Sequence, residues 1–141
     1  MNYLLDTNVI SEPTRKTPEP RVVAWLASRE PEELFFSAAT LAEVRYGIEA
    51  APVGARRRAL EIWFSESFTG RPQRIIPISF EIADAWGRLR RRAEAERRAV
   101  SIMDAFIAAS ADVHGLVVAT RNVRHFEAWG GPVFNPWTDD A

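Results

Sequence analysis

Cysteine is absent from this 141-residue sequence, which excludes disulfides and thiolate-held zinc and suits a reducing compartment. Long apolar runs are absent too: none approaches the roughly 18 to 20 residues needed to cross a bilayer. The start, Met1-Asn2-Tyr3-Leu4-Leu5-Asp6, lacks the basic region and small-residue cleavage site of a signal peptide, so a cytoplasmic location is expected. Charge of one sign is not in excess, because the formal net charge is −1. The whole molecule is therefore no general electrostatic sponge for nucleic acid. Lysine is nearly missing. Of 18 basic residues, Lys16 is the sole lysine and the rest are arginine, a side chain suited to bidentate phosphate recognition. A GC-rich genome would give the same bias. The two histidines, His114 and His125, stand isolated in sequence and suggest no zinc site.

What is present is an ordinary globular composition, 47% hydrophobic and 26% charged. The length, with no repeat, low-complexity stretch or long linker, predicts one domain over 1–141. Short apolar runs at Tyr3–Leu5, Leu34–Phe36, Ile75–Ile78, Leu116–Ala119 and Val133–Phe134 read as four or five buried strands flanked by turn residues. Between them, apolar residues at helical spacing predict helices over Pro20–Ser28, Thr40–Ala50, Ala55–Phe68, from an N-cap at Ser79 through Arg98, and after an N-cap at Ser101. Alternation of this kind predicts a three-layer α/β/α fold with a central parallel sheet. Ligands bind such sheets just beyond the carboxyl ends of the strands.

Four polar residues fall at or near those ends. Asp6 follows the first strand directly, Glu43 lies early in the helix after the second, Asp104 opens the helix after Ser101, and Asn122 follows the fourth strand. Each also has a purely structural explanation. Asp6 can cap the next helix, Thr40-x-x-Glu43 and Ser101-x-x-Asp104 both fit capping boxes, and Asn122 suits a turn. Asp104 is the least bland, being the one charge between Arg98 and Asp112 in an alanine-rich helix. Taken together, carboxylates converging on one edge repel one another unless a cation lies between them. Magnesium fits such a site, since it takes oxygen ligands and joins carboxylates to substrate phosphates.

At this point the sequence resembles the PIN-domain family, and more narrowly the VapC/FitB-like toxins of bacterial toxin–antitoxin pairs. The likeness is carried by Leu4-Leu5-Asp6-Thr7-Asn8-Val9-Ile10-Ser11-Glu12, Ala42-Glu43-Val44-Arg45-Tyr46-Gly47, Met103-Asp104-Ala105-Phe106-Ile107-Ala108-Ala109 and Ala119-Thr120-Arg121-Asn122. The ending Val133-Phe134-Asn135-Pro136-Trp137 adds to it. The resemblance implies a Mg2+- or Mn2+-dependent endoribonuclease, inhibited by a small cognate antitoxin protein. It also implies toxin homodimers that meet DNA only through the antitoxin. Carried over, Asp6, Glu43 and Asp104 match the family's acidic metal positions. Asp6 and Asp104 become the main ligands, and Glu43 a ligand or the base that deprotonates the attacking water. Thr7, Asn8, Thr120 and Arg121 become residues that contact the substrate phosphate or orient the ligands. Asn122 takes the place of a fourth acid and is grouped with the catalytic residues. His125-Phe126 stands where relatives often have an acid before phenylalanine, a second departure.

Other functions remain to be weighed. An aspartyl phosphatase would need an acid where Asn8 stands, and a late lysine that the chain lacks. A PIN-fold partner with little or no catalysis, working within an antitoxin–DNA repressor complex, is the main alternative, and Asn122 favours it. The run Arg88-Leu89-Arg90-Arg91-Arg92-Ala93-Glu94-Ala95-Glu96-Arg97-Arg98 could guide an RNA backbone, or form a solvated face with Glu94 paired to Arg90 or Arg98. Arg56-Arg57-Arg58 is equally ambiguous. Trp25, Trp63 and Trp86 are expected in the core or an interface, Trp137 packed against the chain's end, and Thr138–Ala141 frayed.

Overall fold

The computed structural model describes residues 1–140. Five short strands form one sheet: β1 (Tyr3–Leu5), β2 (Leu34–Ser37), β3 (Ile75–Ile76), β4 (Val117–Ala119) and β5 (Val133–Phe134), in the order β3-β2-β1-β4-β5. Every neighbouring pair is parallel. The helices are α1 (Thr7–Ser11), α2 (Pro20–Ser28), α3 (Ala38–Ala50), α4 (Ala55–Phe64), α5 (Phe80–Ala95) and α6 (Ile102–His114). The three-layer parallel architecture read from the sequence is the one found.

Strand alternation sorts the core into two layers. Leu4 and Val118 point to a face covered by α5 and α6, with Ile82, Leu89, Ile107 and Phe126. Tyr3, Leu5 and Phe36 point to the other face, with Val9, Trp25, Val44, Ile48 and Phe68. Four alanines of α6, Ala105, Ala108, Ala109 and Ala111, are buried in the first layer, and their small side chains let that helix approach the sheet closely. The second is aromatic: the Trp25 ring stacks on Phe134 at 5.1 Å and meets the Tyr3 ring edge-on at 4.9 Å. Trp25 is buried, whereas Trp63 and Trp86 are half-buried, Trp86 stacking on Phe106.

Several boundaries move from their expected places. The third strand ends at Ile76, ahead of Pro77. The fourth begins at Val117, because the left-handed Gly115 (φ 65°) ends α6 there and lets the Leu116 N–H reach the Ala111 carbonyl at 2.9 Å. α4 stops at Phe64 and passes into a wider π turn over Ser65–Thr69. α5 stops at Ala95, where Arg97 takes a left-handed φ of 56° and the Arg98 N–H closes on the Ala93 carbonyl. The tail is anchored through Asp139, whose carboxylate accepts from the Asn135 N–H at 2.8 Å, and Arg21 pairs with Asp140. Thr138–Asp140 therefore are not frayed, and Ala141 lies outside the described residues. Trp137 carries the Arg121 guanidinium over its ring at 5.2 Å.

The strand order places the site. From β1 the chain builds outward through β2 to β3, then crosses back to lay β4 on the other side of β1. The crevice between the carboxyl ends of β1 and β4 is the switch point at which parallel sheets bind ligands.

Candidate active site

Asp6 leaves β1 at that switch point, with its N–H on the Ala119 carbonyl of β4 at 2.9 Å. It caps α1, as the structural explanation has it: one carboxylate oxygen accepts from the Thr7 N–H at 2.8 Å. The other oxygen accepts from the Thr120 hydroxyl at 2.7 Å and from Asn8 Nδ2 at 3.3 Å. Only 6% of the residue is exposed. Burial pushes its carboxyl above the ordinary carboxylate range, the Thr120 and Thr7 hydrogen bonds oppose that, and the charges of Asp104 and Glu43 raise it further. The three acids thus feel one another across the crevice.

Glu43 arrives by a route different from the expected capping box. The N-cap of α3 is Ser37, whose hydroxyl accepts from the Ala39 N–H at 3.1 Å, so the helix starts at Ala38. Thr40 lies inside the first turn, fully buried, and its hydroxyl has no partner among the described residues. Glu43 comes nearly a turn later than a capping-box glutamate and accepts at 3.0 Å from the Thr7 hydroxyl. Its side chain is exposed.

Asp104 keeps half of its expected box. Ser101 caps α6 by accepting from the Asp104 N–H at 3.0 Å. The Asp104 carboxylate turns instead to His125, whose Nδ1 lies 3.2 Å away. His125 is therefore not isolated, as its sequence position suggested: Asp104, far away in the chain, is its partner.

The segment after β4 completes the rim. Thr120 is fully buried and is used twice, donating to Asp6 and accepting from the Asn122 N–H at 3.0 Å. Asn8 bridges in the same way, donating to Asp6 and accepting the Arg121 N–H at 3.2 Å. Asn122 opens a 3-10 turn over Val123–Phe126 but makes no side-chain cap, which leaves its amide at the surface.

A hollow of about 620 Å³ gathers Asp6, Thr7, Asn8, Glu43, Asp104 and Asn122, together with Ser11, Ser101, Met103 and His125. Six of the eight site residues read from the sequence line it. Thr120 lies buried behind Asp6, and Arg121 opens onto a neighbouring hollow. Ser11, Ser101, Met103 and His125 were not singled out for this site, and only the fold brings them to it. A hollow on α5 is larger, about 760 Å³, but it lacks converging acids, so chemistry and not volume marks the site. A hydrogen bond from Thr7 and a 3.2 Å contact with His125 Nδ1 hold Glu43 and Asp104 to their own sides. Among the described residues no three His, Cys, Asp or Glu side chains are gathered as a ready-made metal cage.

Glu12, which ends the first acidic motif, has a structural task. It is buried, and its carboxylate accepts from the Glu19 N–H at 2.9 Å and pairs with Arg15 at 3.3 Å, fixing the approach to α2.

Known proteins are similar in sequence and fold. The family model described as the PIN domain matches residues 3–130. Toxin FitB of Neisseria gonorrhoeae is 41% identical over 140 residues, covering 96% of this chain and 99% of FitB. VapC ribonuclease Y4jK of Sinorhizobium fredii is 36% identical over 135 residues, covering 95% and 96%. A solved structure of FitAB bound to an IR36 DNA fragment superposes with a TM-score of 0.92 at 38% identity, over 99% of this chain and 98% of that one. On sequence and fold, this chain belongs to the PIN-domain family.

Proposed function

We propose that the chain is a metal-dependent endoribonuclease and the toxin of a toxin–antitoxin pair, working in the cytoplasm as a single domain. The observation that carries this reading is the meeting of Asp6, Glu43 and Asp104, from three separate elements, on one hollow at the sheet's switch point. The name of the Sinorhizobium relative, a ribonuclease, points the same way.

The donor set fits a hard divalent cation such as Mg2+ or Mn2+. Its three carboxylates offer oxygen alone, and the Asp6 carboxyl, raised mainly by burial and further by the charges of Asp104 and Glu43, is one that a cation would stabilise as the anion. Asp6 and Asp104 would hold it, with Glu43 as a further ligand or as base. When bound it supplies positive charge against the phosphate and acidifies water.

The chain's own residues do the rest. Thr120, Asn8 and the Thr7 N–H fix the Asp6 carboxylate so that it does not swing. Glu43, the most exposed of the three, takes a proton from the attacking water, and the Thr7 hydroxyl aims its carboxylate. The water oxygen bonds to phosphorus in line with the leaving ribose oxygen. The P–O bond to that oxygen breaks, and the ribose oxygen recovers a proton from solvent. No covalent intermediate on the protein is required.

FitAB has been solved bound to a DNA fragment. By analogy, a cognate antitoxin protein would inhibit a dimer of this chain and carry it to DNA. The second reading, a PIN-fold partner with little catalysis, rests on Asn122, a neutral amide where the family resemblance implies a fourth acid.

One experiment separates the two. Purified, antitoxin-free protein is incubated with total RNA and Mg2+ or Mn2+, beside chelator and Asp6→Asn controls. Discrete fragments that vanish in both controls support the nuclease; no cleavage with either metal leaves the binding partner. Thermal melting gives a readout free of activity: Mn2+ should raise the Tm of the parent protein and not that of Asp6→Asn.

A further inference from the structure

The basic run on α5, which the sequence offers as an RNA guide, is largely tied down. Arg88 pairs with Asp84, Arg91 with Glu94 and Arg98 with Glu96. Arg92 donates to the Ala128 and Trp129 carbonyls, and Arg90 lies over the Trp86 ring. Glu94 thus pairs with Arg91, not with the expected Arg90 or Arg98. An arginine outside that run, Arg124, makes no ion pair among the described residues. It is exposed on the turn after β4.

Two smaller hollows continue from the acidic one. The first, about 190 Å³, is lined by Val100, Ser101, Asp104, Arg124 and His125, and the second, about 250 Å³, by Arg121, Asn122, Arg124 and His125. His125 lines all three hollows, so the rim changes from acid to base across one imidazole. Its Nδ1 lies 3.2 Å from the Asp104 carboxylate. The other ring nitrogen, Nε2, has no protein partner among the described residues, and 54% of the side chain is exposed.

A cation beside an exposed ring nitrogen with no protein partner suits one ribonucleotide of a strand. We propose that Arg124 and His125 form a ribonucleotide subsite beside the carboxylates. Arg124 takes a backbone phosphate, and His125 Nε2 hydrogen-bonds the 2′-hydroxyl, which can both donate and accept. The 2′-hydroxyl is the group that distinguishes RNA from DNA, so His125 becomes a specificity residue for ribose and Arg124 a residue for strand affinity. The inference rests on the ribonuclease reading and deepens it.

The test is fluorescence anisotropy in chelator, where cleavage does not intervene. Labelled single-stranded RNA is compared with DNA of the same sequence over a salt series. The parent protein should prefer RNA, and His125→Leu should weaken RNA binding about fivefold, the worth of one neutral hydrogen bond. DNA binding should hold, so the preference collapses. Arg124→Ala should weaken RNA and DNA alike and flatten the salt slope by about 0.7, one phosphate contact on a single strand. Arg56→Ala, on the exposed start of α4, is the charge control.

If His125→Leu does not fold, 2′-O-methyl RNA on the parent protein blocks the same hydroxyl and should lose the advantage over DNA. An RNA preference that survives both changes overturns the subsite, as does an Arg124→Ala slope equal to that of the control. Either result leaves the nuclease reading standing if the RNA pool is still cut. Failure to bind or cut any RNA removes that reading and the subsite with it.

Discussion

Asp6 and Glu43 face the same hollow with the same functional group, yet the fold treats them in opposite ways. Asp6 is buried and held by three donors from two segments, and its charge is disfavoured by desolvation. Glu43 is exposed, with the Thr7 hydroxyl as its hydrogen-bond donor. A carboxylate locked in place suits fixed placement of charge, while one free to turn suits proton traffic. Burial, more than identity, divides the labour between them.

Substitutions can break that division. Asp6→Asn should remove about 10³-fold of ribonuclease activity, because it deletes the best-positioned charge in the site. Glu43→Gln should cost about 10²-fold, as loss of a general base does. A Glu43→Gln protein of unchanged activity would reassign the base. Thr120→Val leaves Asp6 and the Asn122 N–H each short of a buried partner, and should lower stability by about 2 kcal/mol in urea unfolding. Thr7→Val loses an exposed hydrogen bond and should cost well under that, about 0.5 kcal/mol.

Stability against pH sharpens the contrast. The folded carboxyl of Asp6 is raised above its ordinary 3.8, so between that value and its folded pKa the native state binds the extra proton. Its contribution is therefore most favourable below 3.8, falls as pH climbs through that window, and stays as a fixed penalty above it. Asp6→Asn should show its greatest Tm advantage over the parent near pH 7, and the advantage should shrink toward pH 4. A difference that does not change with pH would contradict the buried, disfavoured charge.

Much of this was legible in the chain, for definite reasons. Branched and aromatic runs such as Leu34-Phe35-Phe36 announce buried strands, and the strand-end rule then points to Asp6 and Asn122 without coordinates. What misled was local ambiguity. Ser37 and Thr40 can each cap a helix, and the decision belongs to β2, which runs through Ser37 in extended geometry (φ −78°, ψ 145°) and leaves its hydroxyl over the first turn. The partnership of His125 with Asp104 was illegible, because tertiary packing alone joins the turn after β4 to the start of α6. The ion pairs of α5 failed for a smaller reason: spacings of three and four both bring side chains together on a helix, and Glu94 chose the nearer Arg91.

The bond from Thr120 to Asp6 spans 114 positions of chain, and it has a bearing on timing. During synthesis Asp6 emerges 114 residues before the hydroxyl that steadies it. A nascent chain that has not reached β4 therefore carries the acids without their brace, and ribosome-stalled chains ending before β4 should cut no RNA. On the ribonuclease reading, the acids stay idle during synthesis until the turn after β4 has been made.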